Sequence, residues 1–242
     1  MRNLPTATRH ILWINILFWL LDTVLQQYHI RLTDSLGLHY ILAPSFSIWQ
    51  PATYMFMHAD LSHLFCNMFA VWMFAPTIEK EWGTKKFLIY YIVCAFGAAI
   101  IQECVWALQI NSIESENASL AIVYSSQVVT IGASGAVFGI LFAFGWLFPD
   151  VRMFLLFFPI PIRARTFVIG YAVIELLAGF SHISGDNIAH FAHLGGMLFG
   201  WLLMLWWSKG EKLLHQHNHH VEQDNKRERD FSDYHYQQRI DD

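Results

Sequence analysis

Six stretches of mostly apolar side chains follow one another along this chain, separated by short polar segments. They cover residues 11–29, 55–78, 87–108, 132–148, 166–180 and 188–207. A helix needs about 20 predominantly apolar residues to cross the hydrocarbon core of a bilayer, and most of these stretches approach that length. The pattern therefore predicts an all-α membrane protein built as a bundle of six transmembrane helices.

The segments between these stretches differ in character. Residues 31–53 are mixed and aromatic-rich, which predicts a loop at the membrane interface, and residues 111–126 are polar and acidic, which predicts a loop. Residues 151–161 are apolar but too short to span, and Pro159 and Pro161 favour a loop folded back at the membrane surface. We therefore expect a membrane domain over residues 1–208 and a charged, flexible cytoplasmic tail over 209–242.

The composition agrees with a membrane protein. Hydrophobic residues make up 55% of the chain and charged residues only 14%, whereas soluble domains carry about a quarter charged residues. The expected surroundings are a lipid bilayer, and no nucleic-acid partner is expected; the net charge of -4 is less informative than where the basic residues fall. Cys66, Cys94 and Cys104 lie in apolar runs without paired spacing, which favours small buried side chains over disulfides or metal ligands.

The basic residues predict the orientation in the membrane. Six spans place both termini on one side, and almost all Lys and Arg fall on that side, whereas the other side has only Arg31. Positive charge is retained in the cytoplasm, so cytoplasmic termini are expected. Residues 11–29 lack a cleavage site and are expected to remain as a span. Without an organelle signal, a bacterial inner membrane is the default expectation.

Ser134 begins the fourth predicted span and His193 lies near the same end of the sixth. Polar side chains within a span are costly and generally face the protein interior or a water-filled cavity, which makes each a functional candidate. A serine becomes a nucleophile when a base lies within hydrogen-bond reach. The pair therefore predicts a Ser/His site toward the external face.

Small residues offer a way to bring the two spans together. Gly135 and Gly139 in the fourth span, and Gly196 and Gly200 in the sixth, have the spacing that allows close helix packing. Taken singly, such glycines usually serve packing alone, and a serine in a membrane helix usually bonds its own i−4 carbonyl. Their combination with an imidazole at matching depth favours chemistry.

The second span carries His63 and Asn67, four residues apart on one helical face, with His58 before them. Their neutral N–H donors suit an oxyanion formed beside Ser134. A polar clamp between helices is the alternative for His63 and Asn67. For His58, packing at the helix end is as plausible as an oxyanion role.

These residues resemble the motifs of the rhomboid intramembrane serine proteases. The resemblance spans about residues 52–205 and rests on three motifs in the order of the family: His63 with Asn67, Gly132-x-Ser134-Gly135, and Ala192-His193-x-Gly195-Gly196. It implies a six-helix core with Ser134 as nucleophile and His193 as general base. It also implies that His63, Asn67 and the Ser134 amide surround the oxyanion, with His58 in a supporting motif.

The chain departs from the family at residue 138, lacks the Trp-Arg pair common in the first external loop, and adds a second histidine. Many members have a tyrosine stacked on the catalytic imidazole where this chain has Phe138, which keeps the ring without the hydroxyl. His190 lies one turn before His193 and is a rival base, although the two glycines after His193 favour the latter. Asp22, Glu103 and Glu175 are expected to make buried polar contacts, with a part in activity left open for Glu175, and His193 is expected to lack a carboxylate partner.

The predicted function is intramembrane cleavage of transmembrane protein substrates near the external face by a Ser/His dyad, without metal or organic cofactor. The main alternative is a catalytically silent rhomboid-like protein that binds transmembrane helices, although such members usually lack the serine or the histidine. A transporter is a third possibility, but the chain has no paired carboxylates or inverted repeat to support it.

Overall fold

The computed structural model describes residues 4–155, 158–181 and 189–209. The chain divides into two compact units, Met1–Trp201 and Leu202–Asp242. The first contains all the candidate site residues named from the sequence, and the second is described only through Lys209. Nearly all of the expected tail therefore lies outside the described residues. The helices are α1 (Thr6–Gln26), α2 (Leu32–Leu36), α3 (Gln50–Thr53), α4 (Leu61–Trp82), α5 (Thr84–Glu116), α6 (Ala118–Gln127), α7 (Ser134–Leu147), α8 (Ala164–Ser181) and α9 (His190–Lys209). The strands are β1 (Leu38–His39), β2 (Val129–Thr130), β3 (Arg152–Leu155) and β4 (Phe158–Arg163), and a 3-10 turn covers Tyr54–Phe56.

Each predicted span contains a helix, but the helices differ in length. Within the described residues, α1, α4, α5 and α9 are long and apolar enough to cross a bilayer. The apolar α7 has 14 residues and α8 has 18. The structure therefore supports a helical membrane bundle with four candidate spans and leaves the predicted count of six as an expectation.

The outward faces of these helices are apolar. Leu17 on α1, Trp72 on α4 and Leu177 on α8 expose 58%, 53% and 65% of their surface. Helices that satisfy their own backbone hydrogen bonds and expose apolar side chains suit a hydrocarbon solvent. The chain is a membrane protein.

The loop predicted over residues 111–126 is wrong, because this segment is helical. Helix α5 continues to Glu116, and α6 begins after Asn117, whose side chain accepts a 3.1 Å hydrogen bond from the Leu120 N–H. The Tyr124 hydroxyl lies 3.0 Å from Gln109 Oε1 on α5. Polar composition excludes burial in lipid but not helical hydrogen bonding, so the prediction confused the two.

The two predicted interface segments have short regular structure. In the first, β1 pairs antiparallel with β2, and the fully buried Gln50 bonds the His39 N–H and the Ser45 carbonyl at 3.3 and 2.9 Å. In the second, β3 and β4 form an antiparallel hairpin that places Arg152 opposite Arg163. A hairpin has only edge strands, which tolerate the two prolines of β4.

A buried carboxylate joins the start of α1 to the end of α4. Glu79 accepts hydrogen bonds from the backbone N–H groups of Ala7 and Thr8 at 2.8 and 2.7 Å. The hydroxyls of Thr8 and Thr84 donate to the same carboxylate at 2.8 and 2.7 Å. Glu79 therefore satisfies N–H groups that a helix start leaves unpaired and fixes three helices together.

Glycines bring α7 against α5 and α9. A β-carbon on Gly196 would overlap the carbonyl oxygen of Gly135, and one on Gly139 would overlap the Cys94 sulfur. The Tyr90 hydroxyl donates to the Gly139 carbonyl at 2.8 Å. The backbones of α7 and α9 therefore touch without intervening side chains, which lets polar groups on their ends meet.

Candidate active site

Ser134 is the first residue of α7 and is held there by the turn before it. Gly132 has a φ of +121°, a conformation that residues with a β-carbon rarely adopt. Its N–H donates to the carbonyl of the buried Tyr54 at 2.9 Å, and the Tyr54 hydroxyl donates to the Ala95 carbonyl at 2.7 Å. The turn is therefore anchored to α5, and Ser134 stands where backbone N–H groups have no partner within the helix.

His193 lies in the first turn of α9 and contacts Ser134 directly. Its Nε2 atom is 2.9 Å from Ser134 Oγ. This is the separation at which an imidazole can take a hydroxyl proton. The two residues lie 59 positions apart in the chain, and the close packing of α7 on α9 brings them together.

Phe138, one turn after Ser134, stacks on the imidazole. Its ring lies 4.2 Å from that of His193 at an interplanar angle of 7°. Phe138 is also stacked against Tyr171, with ring centroids 5.1 Å apart at 7°, and the Tyr171 ring lies 5.6 Å from that of Phe167. The stacked rings of Phe138, Tyr171 and Phe167 thus restrict the plane of the His193 imidazole.

A carboxylate contacts the other ring nitrogen of His193. Glu175 Oε2 on α8 lies 2.8 Å from His193 Nδ1 and 2.7 Å from His190 Nδ1. The expectation that His193 lacks a carboxylate partner is wrong. Two spacings indicate shared helix faces without showing that the faces meet: Phe167, Tyr171 and Glu175 recur every four residues on α8, and the two histidines are three apart on α9.

The other two carboxylates make polar contacts elsewhere, buried as expected for Asp22 but only partly buried for Glu103. Asp22 accepts hydrogen bonds from the Leu32 N–H at 2.8 Å and from the Gln26 amide at 2.7 Å. Glu103 accepts from the Ile41 N–H at 3.0 Å. Asp22 thus joins α1 to the start of α2, and Glu103 joins α5 to the segment after β1.

Ser134 and His193 line a cavity of about 480 Å³. His63, Asp60, Cys66, Phe138 and Tyr171 also line it. A β-carbon on Gly132 would lie 2.7 Å from His63 Nε2 and 3.6 Å from Ser134 Oγ, so the imidazole and the hydroxyl flank the same glycine. The Ala59 N–H makes a long contact of 3.5 Å with His63 Nδ1, which favours the tautomer with its proton on Nε2, the nitrogen beside Gly132.

Asp60 fixes the start of α4 and with it His63. Its carboxylate accepts the His63 backbone N–H at 2.8 Å and the Ser62 hydroxyl. The pKa of Asp60 lies below its usual value, because the Ser62 hydroxyl and the His63 N–H both stabilise the charged form. This is an N-cap that holds the first turn of α4 in place.

Asn67 and His58 are buried and are not among the residues that line the cavity. Within the described part of the chain, Asn67 Nδ2 and both ring nitrogens of His58 have no hydrogen-bond partner. The His58 ring packs against that of His63 at 5.0 Å and 66°. His58 thus lies behind His63, and the amide of Asn67 is a buried donor that remains available.

Glu175, His190 and His193 could also present ligand atoms to a metal ion, because these atoms lie within 4.8 Å of one another. Their present separations of 2.7 and 2.8 Å are hydrogen-bond distances. A tetrahedral zinc ion, with bonds of about 2.0–2.2 Å to each ligand, would hold these ligand atoms farther apart than that. The absence of a metal stays a prediction.

A second cavity of about 330 Å³ adjoins the first and shares Cys66, Phe138 and Tyr171 with it. Its other lining residues are apolar side chains of α4, α7, α8 and β3, among them Phe69, Met73 and Leu141. A polar chamber at the Ser/His pair thus continues into an apolar groove. Such an arrangement can bind an extended chain with an apolar side chain beside the reacting hydroxyl.

Comparison with known proteins decides the family. A model described as the Rhomboid domain matches residues 45–210. The chain belongs to the rhomboid family. As a rhomboid, it is similar to Rhomboid protein 1, mitochondrial, of Saccharomyces cerevisiae, with 32% identity over 61% of this chain and 40% of the yeast protein.

Two further relatives are named as proteases. Rhomboid-like protease 3 of Toxoplasma gondii is 26% identical over 83% of this chain and 70% of its own length. Rhomboid protease GlpG of Yersinia enterocolitica is 27% identical over 66% of this rhomboid and 48% of its own length. The match thus spans less than half of the yeast and Yersinia proteins. Because one relative is named as mitochondrial, these proteins do not support a bacterial inner membrane in particular, and the conclusion that stands is an integral membrane protein.

Proposed function

We propose that this rhomboid is an intramembrane serine endopeptidase that cleaves transmembrane protein substrates near the external face of its membrane. The observation that supports this most directly is the 2.9 Å contact between His193 Nε2 and Ser134 Oγ. The proposal includes six spans, with α7 and α8 as the fourth and fifth, and termini on the cytoplasmic side as the basic residues predict.

The reaction is acyl transfer. Ser134 Oγ attacks the carbonyl carbon of the scissile bond while its proton passes to His193 Nε2. The tetrahedral intermediate expels the amine, which takes that proton, and an acyl ester remains on Ser134. Water then attacks the ester with His193 as base, releasing a carboxylic acid and restoring the hydroxyl. No reactant besides substrate and water is required.

The negative oxygen of the intermediate needs donors on the far side from His193. The Ser134 backbone N–H at the start of α7 is one, and His63 Nε2 beside Gly132 is a second. The unpartnered amide of Asn67, one turn along α4 from His63, is a third candidate. His58 supports His63 through ring packing instead of contacting the oxyanion.

The substrate must unfold locally to be cut, because an intact helix pairs its carbonyl groups. A segment with small or helix-breaking residues could therefore extend into the polar cavity. The neighbouring apolar groove then receives a hydrophobic side chain. Soluble folded proteins are not expected to be substrates.

A fluorophosphonate probe tests the proposal. We expect it to label the wild type on Ser134, not to label Ser134→Ala, and to label His193→Ala far more slowly. His190→Ala should retain labelling, which identifies His193 as the base. A wild type that never labels, in detergent where the cavity is accessible and the protein is folded, would contradict the proposal and favour a silent helix-binding rhomboid.

A further inference from the structure

Glu175 is a buried carboxylate between two imidazoles. Its side chain is 8% exposed, and one oxygen, Oε2, contacts both His193 Nδ1 and His190 Nδ1. A buried carboxylate is stable only when donors compensate for lost hydration. Two N–H groups aimed at one oxygen supply that compensation, so both Nδ1 atoms carry protons.

The carboxylate thereby selects the tautomer of His193. An ionised carboxylate only accepts hydrogen bonds, so Nδ1 must be the donor. Nε2 of the neutral ring then holds the lone pair, and that atom faces Ser134 Oγ at 2.9 Å. In the other tautomer Nε2 would carry a proton and could not act as base.

We infer that Glu175 is a positioning residue that completes a Ser134–His193–Glu175 triad, an inference that rests on the proposed protease function. When Ser134 gives its proton to Nε2, the ring becomes an imidazolium and keeps its Nδ1 proton. Glu175 takes up no proton. Its negative charge stabilises the imidazolium and so lowers the barrier to serine attack.

His190 acts on the carboxylate and not on the serine. It donates from one turn earlier on α9, with its ring 6.3 Å from that of His193 and nearly perpendicular to it. Both Nδ1 atoms contact Glu175, but it is the Nε2 atom of His193 that contacts Ser134 Oγ, and this contact assigns the role of base to His193. A second donor on the same oxygen restricts the carboxylate to the orientation that His193 needs.

One face of helix α8 carries two side chains that orient the His193 imidazole. Tyr171 stacks on Phe138, and Glu175, four residues later, contacts His193. The ring stack fixes the plane of the imidazole, whereas the carboxylate fixes its rotation and proton. A triad with a carboxylate on this helix is therefore a built feature of the fold.

The test compares Glu175→Gln and Glu175→Asp with the control Glu103→Gln. Glu103 is a carboxylate of α5 that accepts a hydrogen bond from the Ile41 N–H and is not among the residues that line the cavity. Cleavage of a transmembrane peptide is followed together with fluorophosphonate labelling and thermal unfolding. For Glu175→Gln we expect kcat to fall about 10²- to 10⁴-fold with KM within about twofold. Glu175→Asp should recover part of the loss, His190→Ala should lose less than about tenfold, and Glu103→Gln should match the wild type.

A second measurement needs no variant. The ¹⁵N shifts of histidine-labelled wild type distinguish the two tautomers, and His193 should have its proton on Nδ1. A wild type that labels on Ser134 while Glu175→Gln keeps full kcat, or a His193 protonated on Nε2, would overturn the triad and leave the protease intact. A wild type that never labels would instead remove the function itself.

Discussion

The rings of Phe138 and His193 are nearly parallel, 7° apart, with centroids separated by 4.2 Å. The stack lies on the face of the imidazole, so it restricts tilting without occupying either nitrogen. Phe138→Tyr should therefore retain near wild-type kcat, because it keeps the ring. Phe138→Leu should lower kcat by about tenfold or more, since a misoriented base loses much of its effect.

Phe144→Leu is the control for this prediction. Phe144 is a buried phenylalanine of the same helix that packs on Phe74 and Phe148. It should lose stability comparable to Phe138→Leu but little kcat per folded molecule. Equal kcat in the two leucine variants would show that the Phe138 ring does not orient the base.

The donors on α4 predict a loss in the chemical step. His63→Ala should lower kcat by about 10²–10³-fold with little change in KM, because an oxyanion donor acts in the transition state. Asn67→Ala should lose less, since its amide is not among the groups that line the cavity. Steady-state cleavage measures both, and a rise in KM at constant kcat would assign His63 to substrate binding.

The close contact between α7 and α9 predicts that one added β-carbon at this contact strongly destabilises the fold. Gly196→Ala should abolish folding or shift the helices apart, because the new β-carbon would overlap the Gly135 carbonyl. Gly170→Ala is the matched control on α8, because among the described residues no atom outside its own turn of helix lies within 4 Å of the new carbon. It should be neutral or stabilising by up to about 1 kcal/mol. Thermal unfolding in detergent distinguishes the two, and similar midpoints would contradict the close contact.

The carboxylate at the end of α4 predicts a loss of stability without a loss of chemistry. Glu79→Gln removes a charged acceptor from four donors and should cost about 1.5–3 kcal/mol. Glu81→Gln, an exposed change two residues away, should have little effect. Denaturant unfolding measures both, and labelling of the folded fraction should be unchanged.

A chelator should leave the activity unaltered. The contacts of Glu175 with His190 and His193 are explained as N–H···O hydrogen bonds, and the proposed reaction uses only water. Cleavage before and after EDTA treatment and dialysis checks this. A loss of activity that added zinc restores would assign the cluster to a metal.

The helices were largely predictable because the apolar stretches that mark them are local. The same reasoning failed over residues 111–126, where polar composition was taken to exclude a helix although Asn117 caps one. The strands of the 151–161 segment were also missed, because apolar residues and prolines do not by themselves indicate pairing. Hydrophobicity locates the chain relative to lipid more directly than it locates backbone hydrogen bonds.

For the site, Ser134, His193 and His63 could be named from motifs, since each belongs to a short pattern on its own helix. Glu175 could not, because its contact depends on how α8 is rotated about its axis relative to α9. Sequence spacing shows that Tyr171 and Glu175 share a face but not which neighbour that face meets. The position of His58 behind His63 likewise depends on tertiary packing.

The glycine contacts between α7, α5 and α9 also bear on how such a chain can evolve. At Gly135, Gly139 and Gly196 a single added methyl group meets backbone or a buried side chain, so selection should remove nearly every change. The outward positions, where Leu17 or Leu177 faces lipid, require only apolar character and can drift freely. Two members of the family could thus differ at most positions and still keep one fold.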